Sequence, residues 1–257
     1  MRSKIKIFES GISDGIMSRN KKFYPEGTPQ EEINNQFLEI RKRLGKKHGF
    51  NGKKIFQASQ KTDTNGIEYE NGTYHVITDS DIDNDDLWYV KLPADILIIS
   101  SKYKNIVIGN QMADCPVLII EDRKLGVTAL SHCGAPYINR KLPSQTVEAL
   151  IKSCNSDPKD LYAYIGSCAK KENYIYDRYP TWATNKEVWE NAIKEQNNQY
   201  YIDLVTVITD QLTKGGVEHI DISPNDTIIS PKFYSHNASS KGNKAKLGQN
   251  FVGFFYK

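Results

Sequence analysis

Long apolar runs are missing from this 257-residue chain. No stretch reaches 18 consecutive apolar residues, so no segment is expected to span a bilayer. The N-terminal Met1-Arg2-Ser3-Lys4-Ile5-Lys6-Ile7 lacks the apolar stretch of a signal peptide. Cysteine is sparse: Cys115, Cys133, Cys154 and Cys168 form no Cys-x-x-Cys pair. That excludes a secreted disulfide framework and points to reduced thiols in the cytoplasm. An excess of one charge is lacking as well. The formal net charge is +3 and the lysines are spread along the chain. The one basic stretch, Lys241 to Lys246, is short and interrupted and reads as a solvated loop, so no nucleic-acid partner is expected.

What is present is ordinary globular composition, with 39% apolar and 25% charged residues. Thr28-Pro29-Gln30-Glu31 reads as a capping-box helix start, followed by Ile33, Phe37, Ile40 and Leu44 at helical spacing and by Gly45 as an end signal. A strand is expected at Lys54–Ser59 and a hairpin around Asn71-Gly72 in the polar stretch 63–86. Further strands are expected at 96–99, 106–108, 117–120, 125–130, 162–165, 217–222 and 251–256. Helices are expected from Val147 to Cys154, from Lys186 to Glu195 and from Leu204 to Lys214. Helices and strands mix without strict alternation, which favours an α+β or layered α/β domain. No repeat and no linker divides the chain, so residues 1–257 are expected to form a single domain.

Two short blocks carry the chemistry, Ala113-Asp114-Cys115-Pro116 and Ser131-His132-Cys133-Gly134. Cys115 precedes one expected strand and His132 follows the next. If Glu121-Asp122-Arg123-Lys124 turns the chain back, thiol and imidazole share one rim of a sheet. That pairing suits a soft metal or a thiol nucleophile. Cys154 lies at helical spacing with Val147 and Ile151 and reads as packing. Cys133 should face away from His132, because neighbours along a strand point to opposite faces.

These blocks, with Pro93-Ala94-Asp95 before them, resemble the laccase-domain (polyphenol oxidase, YfiH-type) family. Its members include enzymes described as purine nucleoside phosphorylases and a peptidoglycan editing factor. Gly11-Ile12-Ser13, Ile165-Gly166 with Tyr174, and Phe233-Tyr234-Ser235 extend the resemblance along most of the chain. The resemblance implies a four-layer α/β/β/α fold and a zinc site of two histidines and one cysteine. Cys115 matches the cysteine ligand and His132 the second histidine. The first histidine is replaced: the matching block is Gln57-Ala58-Ser59-Gln60, with Ser59 in its place. Either the ligand has moved to His75, 19 positions before Ala94, or the site has lost it.

Other departures bear on the reaction. The family's Trp-Arg after the His-Ala-Gly block is Ala135-Pro136-Tyr137 here, and His236-Asn237 and Gly248-Gln249 stand where it has arginines. Arginine grips phosphate through a bidentate fork that these residues cannot reproduce. The resemblance therefore implies a divergent zinc enzyme acting on a purine nucleoside, by phosphorolysis or deamination, with water favoured over phosphate as nucleophile. Cys115, His132 and His75 are the expected zinc ligands, Asp114 the catalytic residue, and Ser235 and His236 the substrate contacts. Two alternatives stand beside it. One is a metal-free thiol hydrolase or deamidase with Cys115 activated by His132, since the family's fold is similar to that of the cytotoxic necrotizing factor deamidases. The other is a non-catalytic binding or scaffold relative. Five scattered histidines do not supply several copper centres, which leaves a copper laccase last.

Overall fold

The protein is described by a computed structural model that covers residues 2–50, 54–59, 72–83 and 89–257. Its centre is two sheets packed face to face. One has five strands in the order β1 (Ile5–Glu9), β14 (Asn250–Tyr256), β6 (Val107–Met112), β2 (Ile55–Ala58) and β4 (Tyr89–Leu92). The other has six, in the order β13 (His219–Ile222), β9 (Leu161–Ile165), β7 (Val117–Asp122), β8 (Val127–His132), β5 (Ile96–Ser100) and β3 (Tyr74–Val76). Helix α1 (Gln30–His48) covers the outer face of the first sheet, and α4 (Leu142–Cys154) and α6 (Leu204–Lys214) cover that of the second. These are the four layers α/β/β/α expected from the resemblance. A small third sheet holds β10 (Ile175–Tyr176), β12 (Gln199–Ile202) and β11 (Ile193–Gln196). Short helices α2 (Asp79–Ile82), α3 (Ala135–Asn139), α5 (Lys186–Trp189) and α7 (His236–Ser240) complete the list. Among the described residues no helix is long and apolar enough to cross a membrane.

Strand β14 shows why the layers form. All seven of its residues are buried, so it needs apolar partners on both faces. Phe251 and Phe255 pack with Phe37, Ile40 and Leu44 of α1, while Val252, Phe254 and Tyr256 join Leu97, Ile119 and Leu130 between the sheets. Burying each such side chain stabilises by roughly 1.5–3 kcal/mol. A polar link also crosses between the sheets. The Glu9 carboxylate on β1 accepts hydrogen bonds from Tyr164 Oη at 3.1 Å, Ser167 N at 2.8 Å and Ser167 Oγ at 2.5 Å.

Three expectations need correction. The α1 capping box does not form: Pro29 is the N-cap, without a side-chain bond, and Thr28 Oγ1 donates to the Pro25 carbonyl instead. Gly45 does not end the helix; it is buried within it, and Gly49, at φ 82°, takes the left-handed cap. The helix expected over Lys186–Glu195 stops at Trp189. Ile193–Gln196 is a strand, because Asn197 and Asn198, at φ 53° and 59°, make the left-handed turn that returns β11 into β12. Asn71, of the hairpin expected at Asn71-Gly72, lies outside the described residues.

Gly109 and Gly253 stand opposite each other on β6 and β14, and the Phe251 ring lies across them. A Cβ on Gly109 would meet that ring at 2.3 Å and the Val252 carbonyl oxygen at 2.8 Å. Gly109→Ala is expected to cost about 1–3 kcal/mol by overpacking, seen as a lowered urea midpoint with an unchanged slope.

Candidate functional site

The hairpin anticipated from the sequence forms. β7 and β8 are antiparallel with Val117 opposite His132, and Asp122 Oδ1 holds the turn by accepting from the backbone N–H groups of Lys124 and Leu125. Cys115 therefore enters the sheet where His132 leaves it. Gly134 lies between them: a Cβ built on it would sit 3.5 Å from Cys115 Sγ and 3.6 Å from His132 Nε2. Thiol and imidazole thus face one shared corner, which a side chain at 134 would fill. Cys133 turns to the opposite face and is fully buried among core residues beneath the helices.

The corner is electrically neutral. Burial pushes the Cys115 thiol up to about 12, with the Asp114 charge adding to it and the Ala135 N–H opposing it. Burial pulls His132 down to about 4, opposed by a hydrogen bond with the Gln111 backbone carbonyl. A neutral imidazole that donates one N–H to that carbonyl carries a lone pair on its other nitrogen. Such a pair is poorly suited to a resting thiolate–imidazolium nucleophile, which needs the opposite shifts.

His132 lies at the floor of a cleft of about 810 Å³ between the ends of the two sheets. Gln57, Ala58 and Ser59 come from the end of β2, and Asn110 and Gln111 from β6. Tyr137 comes from α3, and the segment from Ser18 to Phe23 forms the outer wall with Gln30 and Asn34 of α1. Ser59, which the resemblance sets at the expected histidine position, is thus a wall of the cleft. Gln57 Oε1 is buried there without a hydrogen-bond partner. The cleft also holds Arg19, Lys22 and Lys91.

The other expected site residues lie elsewhere. His75, on the edge strand β3, has its Nε2 3.0 Å from Asp81 Oδ2 and does not line the cleft. Asp114 is 5% exposed; Oδ1 accepts from Thr227 Oγ1 at 2.7 Å and Oδ2 from Asn237 N at 2.6 Å. Its carboxylate ties the Cys115 loop to the C-terminal segment. Ser235 is buried as the N-cap of α7, its Oγ accepting from Ala238 N at 3.0 Å, and His236 points out of the surface. Nearby, the buried Lys246 ammonium donates to the carbonyls of Thr227 at 3.2 Å, Phe233 at 2.7 Å and Ser230.

The described residues do not fit the three-ligand zinc set. Among the described residues no third His, Cys, Asp or Glu joins Cys115 and His132 in a group that could hold a metal ion. The shift of the lost histidine to position 75 does not bring an imidazole to this corner.

Residues 26–250 match the family model described as multi-copper polyphenol oxidoreductase laccase. The chain belongs to this family. Similar solved structures include Geobacillus stearothermophilus YlmD (TM-score 0.71, 19% identity, covering 87% of this chain and 81% of that one) and Bacillus licheniformis YfiH (0.67, 19%, 87% and 82%). A Neisseria meningitidis protein aligns over 100% of this chain and 96% of its own, at TM-score 0.68 and 13% identity. At these identities the likeness concerns the fold. Proteins named purine nucleoside phosphorylase from Mycobacterium tuberculosis and Mycobacterium bovis are 25% identical over 124 residues, 48% of this chain. The match spans 49% of their length, about half of each relative.

The sequence reading missed Arg19, Lys22, Lys91, Gln57 and Asn110. Of these only Gln57 lay in a family-like block, Gln57-Ala58-Ser59-Gln60; Arg19, Lys22, Lys91 and Asn110 carried no local signal.

The neutral His132 leaves a mark on stability. Its folded pKa lies below the ordinary value of 6.5, so the unfolded chain binds the proton first. The contribution is complete above pH 6.5 and is lost as pH falls toward 4, on the order of 3 kcal/mol in all. In His132→Asn the fall in urea midpoint across that window should be shallower than in the parent protein.

Proposed function

We propose that the cleft is the active site of an enzyme that deaminates a purine nucleoside, with water as the nucleophile. The observation that carries this reading is the neutral His132 imidazole on the floor of a cavity large enough for a nucleoside.

In this reading His132 accepts a proton from a water molecule through its lone-pair nitrogen. The water oxygen bonds to the ring carbon that carries the amino group. The carbon–nitrogen bond then breaks and ammonia leaves with the transferred proton. Gly134 keeps the approach to that corner open. Cys115, held as a neutral thiol, is a weak hydrogen-bond donor at the same corner rather than a nucleophile. The floor residues, His132 included, are uncharged, which favours water over a phosphate dianion at the reacting centre.

Phosphorolysis is the second reading, favoured by the names of the mycobacterial relatives. There a phosphate oxygen would bond to the sugar carbon, and the glycosidic bond would break with its electron pair leaving on the purine.

One assay separates them. Adenosine is incubated with the purified chain with and without phosphate, and products are resolved by chromatography. Inosine formation independent of phosphate is expected, falling by about 100-fold or more in His132→Ala. Release of free adenine that requires phosphate would overturn deamination in favour of phosphorolysis. Iodoacetamide supplies a second check, on the thiol alternative. Cys115 is expected to react more slowly at neutral pH than free cysteine, because its thiolate fraction is smaller.

A further inference from the structure

One buried thiol has no part in the cleft. Cys168 is fully buried, yet it stands outside the apolar cores between the sheets and beneath the helices. Its place follows from strand pairing. β7 and β9 run antiparallel with Leu118 opposite Ile165. The pairing continues past both strand ends: Gly166 N donates to the Val117 carbonyl and Ala169 N to the Asp114 carbonyl, each at 2.9 Å. Between those two bonds, the same count sets Cys168 across from Cys115.

Directly opposed antiparallel residues have Cα atoms about 4.5–5.5 Å apart. A disulfide spans roughly 4.4–6.8 Å between Cα atoms, so strand pairing supplies the separation that a bridge needs. The faces agree as well. Val117 and Tyr164 face the space between the sheets, whereas Leu118 and Ile165 face the helices. Alternation along each strand returns Cys115, two residues from Val117, and Cys168, four from Tyr164, to the same inter-sheet face. Nearness shows in the electrostatics too. After burial and the Asp114 charge, Cys168 is the next influence that raises the Cys115 thiol. On the β8 side the neighbour of Cys115 is Gly134, because Cys133 N donates to the Pro116 carbonyl at 2.8 Å and carries that pairing one residue further. Cys133 itself turns into the core beneath the helices, and Cys154 ends α4.

We infer that Cys115 and Cys168 are a redox-sensitive pair that closes to a disulfide under a two-electron oxidant such as hydrogen peroxide, withdrawing the Cys115 thiol from the corner it shares with His132. Both thiols are free in the structure, and Cys115, which retains partial exposure, meets the oxidant first. The Cys115 sulfur takes one peroxide oxygen as the O–O bond breaks, leaving a sulfenic acid and one water. The Cys168 sulfur then bonds to the Cys115 sulfur, the S–O bond breaks, and the hydroxyl leaves as water with the Cys168 proton. In all, two hydrogens leave the chain and the peroxide is reduced to two waters. Burial pushes both thiols up to about 12, opposed at Cys168 by the Lys170 ammonium. Both are therefore protonated at neutral pH, so closure is slow and needs excess oxidant. The bridge follows from strand pairing and is independent of the substrate of the cleft.

The test is to treat the whole folded chain with excess hydrogen peroxide, alkylate the remaining thiols in urea and map the peptides by mass spectrometry. A cross-linked peptide joining Cys115 to Cys168 is expected, short of two hydrogens and fully reversed by dithiothreitol. In Cys168→Ala the bridge should vanish, and Cys115 should instead give a sulfenic acid that dimedone traps. Cys154→Ala should leave the bridge intact. Circular dichroism confirms that each variant is folded. Cys115 oxidised to sulfinic acid in the parent protein, with Cys168 still alkylated, would overturn the inference. So would a bridge from Cys115 to Cys133, or Cys115 and Cys168 both still alkylated after prolonged excess peroxide.

Discussion

Between β6 and β7 the chain turns at Asp114, whose φ of 86° is one that a residue with a side chain adopts only when its surroundings hold it there. Three hydrogen bonds do so. The carboxylate accepts from Thr227 Oγ1 and Asn237 N, and the Asp114 carbonyl accepts from Ala169 N at 2.9 Å. Strained backbone of this kind costs on the order of 1–3 kcal/mol and persists where several contacts over-determine it. The next residue is Cys115, so the direction of the thiol is set by partners more than 100 positions away in sequence. The β7–β8 hairpin fixes His132 by local pairing, whereas Asp114 fixes Cys115 by long-range clasping. The corner exists because both devices aim at Gly134.

Elements with strong periodicity were legible in the sequence. The α6 span of Leu204–Lys214 agrees to the residue, and the β7–β8 hairpin forms with its turn at 123–126, two residues beyond the expected one, so that Glu121 and Asp122 extend β7 and His132 ends β8. The layered architecture was reached through the resemblance, not through periodicity. What failed was decided by tertiary context. Lys186–Glu195 has helical spacing, but the Asn197-Asn198 turn gives its second half a strand partner. Strand β1, only five residues long, owes its place to pairing with the last strand of the chain, which no local pattern reveals.

The candidate corner was legible in the sequence, and the extent of the cleft around it was not. Cys115 and His132 meet as expected, because two short blocks and one hairpin bring them together. His75 was chosen by distance along the chain, and distance along the chain does not measure separation across a sheet. Its strand lies at the far edge, beyond β5, where its imidazole pairs with Asp81. The basic residues of the cleft went unseen for a different reason. Arg19, Lys22 and Lys91 belong to two segments about 70 positions apart, and each alone looks like one of many solvated charges. Only the fold shows them sharing a cleft.

Lys246 gives the C-terminal part of the site an unusual origin for its order. Three backbone carbonyls converge on its ammonium, an arrangement that elsewhere coordinates a free monovalent cation. Here the cation is covalently attached to the chain. Its effective concentration is set by the tether and not by the medium. The segment that braces Asp114 is therefore insulated from the ionic composition around it, while the rim of the cleft, whose cations face solvent, remains fully exposed to it. One chain holds a salt-independent scaffold and a salt-responsive entrance.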